Sequence, residues 1–138
     1  MIINLDTGKY LAGYPEWARD PFTRLRGMTF RRFVCGKFDA LVFERCSSVH
    51  TCFMGYPLDL VFVDRSCRVV KTVEHLLPWK TAFGGRGAVA VIELPPGAIR
   101  FSGTEAGHLI DWKYNPGTEK MEPFSVRDVL LSEVVCRK

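Results

Sequence analysis

The chain is poor in histidine, with three, has no Cys-x-x-Cys pair, and shows no internal repeat or low-complexity segment. No apolar run approaches the roughly 18 residues needed to cross a bilayer. Each absence excludes something. Without Cys-x-x-Cys the common zinc and redox spacings are missing. Without a long apolar run no membrane partner is expected. The start, Met-Ile-Ile-Asn-Leu-Asp, carries neither a basic leader nor a long apolar block, so it does not read as a signal peptide, and a cytoplasmic protein is expected. Five cysteines (Cys35, Cys46, Cys52, Cys67, Cys136) are an odd set. In a chain without an export signal they are expected to be reduced, several acting as small core hydrophobes.

What is present is ordinary globular material. Of 138 residues, 47% are hydrophobic and 25% charged, enough for one domain with a real core. The net charge of +4 is mild. Arg19, Arg24, Arg26, Arg31 and Arg32 nevertheless crowd into one segment, opposed there by Asp20. Such a patch suits an anion, a phosphate or nucleic acid. No aromatic-interleaved motif accompanies it, so a solvated face is the expectation and nucleic acid is not an expected partner.

Periodicity and turn signals give the element order. Ile2 to Leu5 and Lys9 to Ala12 flank Asp6-Thr7-Gly8 as an opening hairpin. Asp20-Pro21 reads as a helix start, with Phe22 and Leu25 on one face and Gly27 as a left-handed cap. Phe38 to Phe43 is a strand. Leu58 to Val63 is apolar on both faces and predicts a central strand. Asp64 to Cys67 is a turn, Arg68 to Glu74 its partner strand. Pro78 to Gly87 reads as the most flexible loop, Ala88 to Leu94 as an apolar strand, Ala98 to Ser102 as a helical turn, and Leu109 to Trp112 as the final strand. Val126, Val129, Leu130 and Val134 keep helical spacing, so Ser125 to Cys136 is expected as an amphipathic helix. The fold expected is mainly β (α+β): a small barrel or sandwich-like domain with two or three peripheral short helices. Residues 1–112 form the β domain, and residues 113–138 a helical extension packed on it.

The most specific stretch runs from Cys46 to Asp64: Cys-Ser-Ser-Val-His-Thr-Cys-Phe-Met-Gly-Tyr-Pro-Leu-Asp-Leu-Val-Phe-Val-Asp. It resembles the centre of domain-of-unknown-function family 192, Cys-x-x-[Ile/Val]-His-Thr-x-Phe-Met-x-x-Pro-[Ile/Leu]-Asp-x-Val-Phe-x-Asp. Four further blocks carry the resemblance: Arg24-Leu-Arg-Gly27-Met28 with Arg31, Leu41-Val-Phe43, Arg68-Val69-Val70 and Glu93-Leu94-Pro-Pro-Gly97. It spans roughly residues 2 to 112 and implies a fold without an assigned activity. One departure is Gly107-His108, where the family usually has Gly-Asp.

Cys46, His50 and Cys52 share parity on an extended segment and so share a face. Thiolate and imidazole there begin a zinc site, which His75, His108 or Asp59 would have to complete. A Cys46–His50 pair is the alternative start of a thiol nucleophile. Asp59, at a strand start, must be hydrogen-bonded if buried. Either it satisfies loop amides or an arginine, Arg24 being the first candidate, or it joins a polar pocket of Arg24, Cys46, His50, Thr51, Met54 and Asp59, with Phe53 and Tyr56 as apolar wall. Glu93 is expected to face out or to bond a loop.

Because this cluster lacks a complete catalytic set, the expected function is a non-enzymatic ligand-binding or accessory domain with a small anionic or polar ligand. The alternatives are a metal- or thiol-dependent hydrolase-like enzyme using Cys46, His50 and Asp59, and an anion or nucleic-acid binder through Arg24 to Arg32. The sequence does not identify a cofactor.

Overall fold

The computed structural model describes residues 1–112. The expected helix Ser125 to Cys136, its packing, and Cys136 itself lie outside the described residues. The elements follow as β1 (Ile2–Asn4), β2 (Tyr10–Ala12), β3 (Pro15–Trp17), α1 (Pro21–Arg26), β4 (Ala40–Glu44) and β5 (Ser48–His50). Then come β6 (Leu58–Val63), β7 (Val69–Leu76), β8 (Thr81–Phe83), β9 (Ala90–Leu94), α2 (Ala98–Ser102) and β10 (Ile110–Asp111).

A five-stranded sheet in the order β3-β4-β9-β6-β7 forms the centre, with β3 parallel to β4 and the other neighbours antiparallel. Strands β10, β1 and β2 make a second sheet, and β5 pairs with β8 in a third. The architecture is mainly β with two short helices among the described residues, and the sheets do not close into a barrel.

Strand alternation divides the apolar residues into two cores, one on each face of the central sheet. Val42, Val61, Val63, Ile92 and Leu94 point to one side, where they meet Ile2 and Ile99. Leu41, Phe43, Leu58, Leu60, Phe62 and Val91 point to the other, where Val49 and Met54 cover them. Every residue of β6 is therefore buried, as its two apolar faces predict.

Local signals explain the element ends. Asp20 caps α1, its carboxylate accepting the Thr23 amide at 2.8 Å, and Pro21 occupies the first turn. Gly27 ends the helix at φ 53, ψ −131, which is not the left-handed helical cap expected. Phe22 and Leu25 do lie one turn apart, yet they are 70% and 81% exposed, and α1 buries no residue. The Pro78 to Gly87 stretch, expected as loop, contains β8. Its Gly84 lies so close to the core that an added Cβ would sit 2.5 Å from both the Phe62 ring and the Ala88 methyl.

Candidate functional site

The segment from Cys46 to Tyr56 lies over the core that Leu58, Leu60 and Phe62 face. Val49 and Thr51 point inward, whereas Cys46, Ser48, His50 and Cys52 take the opposite parity. Thr51 is fully buried and ties this segment to the β7–β8 connection. Its hydroxyl donates to the Leu77 carbonyl at 2.6 Å and accepts the Lys80 amide at 2.9 Å, and its carbonyl accepts the Trp79 amide at 3.0 Å. Met54 is plain core.

The three do not share an outer face, because Cys46 is half-buried against the core of Leu58, Leu60 and Phe62. His50 is exposed, and the Cys46 thiol donates to the Ser48 carbonyl at 3.1 Å. Among the described residues no three His, Cys, Asp or Glu side chains gather to hold a metal ion. Cys46 and Cys52 are thiols in no disulfide.

Asp59 stands apart from them. Alternation on β6 turns it to the other face of the central sheet, with Val61 and Val63. There it is buried and fully occupied by backbone. One oxygen accepts the His75 amide at 2.9 Å; the other accepts the amides of Gly97 at 3.1 Å and Ile99 at 3.0 Å. The pairing of β6 with β7 shifts register between Leu58 and Leu60, and His75 has φ 54, so the irregularity turns an amide out of the ladder and Asp59 receives it. Gly97 gives α2 no side-chain cap, and Asp59 does that work from β6. Burial pushes the Asp59 carboxyl up; the His75 and Ile99 amides pull it down. The expectation of one pocket holding His50 and Asp59 is thus corrected: a whole sheet separates the faces they occupy. The reading in which Asp59 satisfies loop amides describes it.

Arg24 does not meet Asp59 either. Its guanidinium donates to the carbonyls of Glu44 at 2.8 Å, Arg45 at 3.3 Å and Ala18 at 3.4 Å, closing the end of β4. Arg26 donates to the carbonyls of Thr29 and Phe30, and Arg31 pairs with Glu16 at 2.8 Å and stacks on Phe38. Three of the segment's arginines are therefore engaged within the fold.

Two features escaped the sequence reading. The first is Glu93, expected outside or on a loop. It lies on β9 between Leu41 of β4 and Leu60 of β6, both fully buried, and is itself 3% exposed. Its Oε2 has no hydrogen-bond partner among the described residues. Burial pushes the carboxyl up to about 8, so at neutral pH it is mostly the uncharged acid. Gly27 lies beside it, where an added Cβ would be 4.0 Å from Glu93 Oε1 and 3.6 Å from the Phe43 ring. Tyr56 donates to the Arg31 carbonyl at 2.6 Å; burial first, then the nearby Glu93, pushes its phenol up. The signal available in sequence was a lone acid in an apolar strand, which does not say to which face it turns.

The second is a rim of exposed aromatics. Phe53 and Trp79, at 63% and 62% exposure, pack ring to ring at 4.7 Å, and both have φ 62. Phe30, at φ 58, is exposed too, and its chain neighbour Thr29 reaches the carbonyl of Cys52, the residue before Phe53, at 3.5 Å. Left-handed backbone is uncommon for bulky residues. Here it turns three aromatics toward water.

Comparison with known proteins bears on the same residues. The family model DUF192, described as Uncharacterized ACR, COG1430, matches residues 4–112. The chain belongs to the DUF192 family. A UPF0127 protein of Thermococcus sibiricus is 34% identical over 119 residues, covering 82% of this chain and 75% of the relative. Two crystal structures share the fold. One, of a protein of unknown function from Novosphingobium aromaticivorans, has TM-score 0.62 and 22% identity, covering 71% of this chain and 74% of the other. The second, from Sinorhizobium meliloti 1021, has TM-score 0.65 and 21% identity, covering 80% and 88%. The DUF192 match ends at residue 112, within the described residues. Where the family usually has Gly-Asp, His108 takes a structural part. Its Nδ1 lies 3.0 Å from the Asn4 amide nitrogen and 3.3 Å from the Glu105 backbone nitrogen. Both are donors, so Nδ1 is the acceptor and the proton sits on Nε2.

Proposed function

We propose that this chain is a non-catalytic ligand-binding domain whose binding face is built by the loops around Phe30, Phe53 and Trp79. The observation that carries the reading is the Phe53–Trp79 pair, stacked on each other yet mostly in water, each on left-handed backbone. Such backbone costs of order 1 kcal/mol or more per residue. The Thr51 hydrogen bonds hold the strained loops in place, so the aromatic surface is fixed before a ligand arrives. Adjacent arginines give the surroundings a positive sign, which favours a small ligand with a flat apolar face and polar or anionic groups.

Catalysis draws no support from the site. Asp59 lies across the central sheet from Cys46 and His50. The test is native mass spectrometry of freshly isolated full chain, alongside thermal-shift measurements against neutral and anionic metabolites. A retained or stabilising small molecule is expected, lost in Phe53→Ser/Trp79→Ser with the unliganded melting temperature little changed. Binding that survives both substitutions overturns the reading.

A further inference from the structure

Helix α1 is firmly held, yet it buries none of its residues. Asp20 caps its start, the Gly27 amide closes its end on the Thr23 carbonyl at 2.8 Å, and Arg24 ties it to the carbonyls of Glu44 and Arg45. Phe22 and Leu25 are nonetheless 70% and 81% exposed. Arg26 lies one turn beyond Phe22 on the same side of the helix. Its guanidinium donates to the Phe30 carbonyl at 3.4 Å, which keeps Phe30, 84% exposed, next to the helix. Three large apolar side chains within a short stretch thus stand in water on a fixed scaffold. Exposed apolar side chains rimmed by charge mark an interaction surface.

The charge around them has one dominant sign. Residues 16–32 carry five arginines against Glu16 and Asp20, a net +3 in a chain of net +4. Arg31 is paired with Glu16. Arg24 and Arg26 donate to backbone carbonyls, which hold the side chains without cancelling their charge. Arg19 and Arg32 are exposed.

We propose that α1 and Phe30 form a docking surface for an anionic lipid bilayer, with Phe22, Leu25 and Phe30 entering the headgroup region while Arg19, Arg26 and Arg32 meet lipid phosphates. Apolar burial and attraction to anionic lipid are the two contributions that hold an interfacial helix at a membrane. Exposure decides between occupants. Side chains this exposed stand proud of the surface, and a fluid interface receives them without a preformed groove. Nucleic acid would use the arginines and leave the three apolar side chains in water. The contact is with the bilayer surface alone, since α1 has six residues. The lack of a long apolar run excludes crossing a membrane, and lying on one needs no such run. Phe53 and Trp79 take no part, so the inference goes beyond the small-ligand reading.

The test is sedimentation of the full chain with vesicles of phosphatidylcholine alone, and of phosphatidylcholine with about one quarter phosphatidylglycerol. Binding to the anionic vesicles is expected, weakening as salt is raised. Phe22→Ser/Leu25→Ser and, separately, Arg19→Gln/Arg32→Gln should each weaken it about tenfold or more. All four side chains are exposed, so the melting temperature should hold. In Phe22→Trp, brominated lipid should quench the fluorescence of the added indole, a readout at the helix itself. Phe30 is left in place in every variant, so failure here is distinguishable from failure of the aromatic-face reading. No binding to anionic vesicles, equal binding to neutral ones, binding that survives Phe22→Ser/Leu25→Ser, or an unquenched indole in Phe22→Trp each overturns the proposal. So does duplex DNA displacing the chain from vesicles while binding the Phe22→Ser/Leu25→Ser variant as tightly as the parent.

Discussion

Two buried carboxylates on opposite faces of one sheet show how much a residue's partners decide. Asp59 is held by three amides, and removing it strands all three together with a bulge and a helix start. Unsatisfied buried groups cost about 1–3 kcal/mol each, so Asp59→Ala should destabilise by roughly 3 kcal/mol or more in urea unfolding. Arg24→Ala should cost only about 1–2 kcal/mol, because its partners are neutral carbonyls near the surface and not a buried acid. Glu93 behaves in the opposite sense to an ion-paired acid. Its folded pKa of about 8 stands above the ordinary value of 4.5. The folded state therefore holds the proton more tightly. The stability this contributes is fully present below about pH 4.5 and is lost as pH rises toward and through about 8. Glu93→Gln should flatten that part of a melting-temperature profile taken across the same range. A profile unchanged by the substitution would show that the acid is not protonated in the fold.

At the scale of elements, short strands are placed by what crosses between them. Strands β5 and β8 have three residues each, and the Thr51 hydroxyl and the Gly84 approach lock them over the Phe62 side of the sheet. Gly84 is required by space, since a Cβ would meet the Phe62 ring and the Ala88 methyl at 2.5 Å. Gly84→Ala should destabilise by about 1–3 kcal/mol, the usual range for forcing extra volume into a packed core. A neutral result would show that β8 shifts freely. The hairpin of β1 and β2, the capped start of α1, the turn after Asp64 and the Ala98 helical turn were all legible, because each depends on residues close in sequence. In that turn Asp64 accepts the amides of Ser66 and Arg68 at 2.8 and 3.0 Å. Strands β3, β5 and β8 were not legible: they are short, and their hydrogen bonds come from distant segments.

Across the whole molecule, the two cores share β4, β6 and β9, so neither can lose its packing without exposing the other's strands. Unfolding should therefore be one cooperative transition. Trp17 and Trp112 pack against one core, while Phe62 and Met54 belong to the other. Tryptophan fluorescence and far-ultraviolet circular dichroism should thus give coincident urea curves, and separated midpoints would show that the two halves melt independently. No described helix is long and apolar enough to cross a membrane.

What the sequence determined by itself was local or compositional. The apolar character of Leu58 to Val63 made it a central strand, the Asp20-Pro21 pair started a helix, and the Cys46 to Asp64 block identified the relatives. Parity placed Cys46, His50 and Cys52 on one face. Only the tertiary structure decided that His50 looks outward while Cys46 packs against a core, that Asp59 lies across the sheet from both, and that Glu93 points into a core with one oxygen unmet. The reason is physical. Alternation says which side chains share a face, but which face is buried is set by the strands and loops that pack against it, and those come from far along the chain.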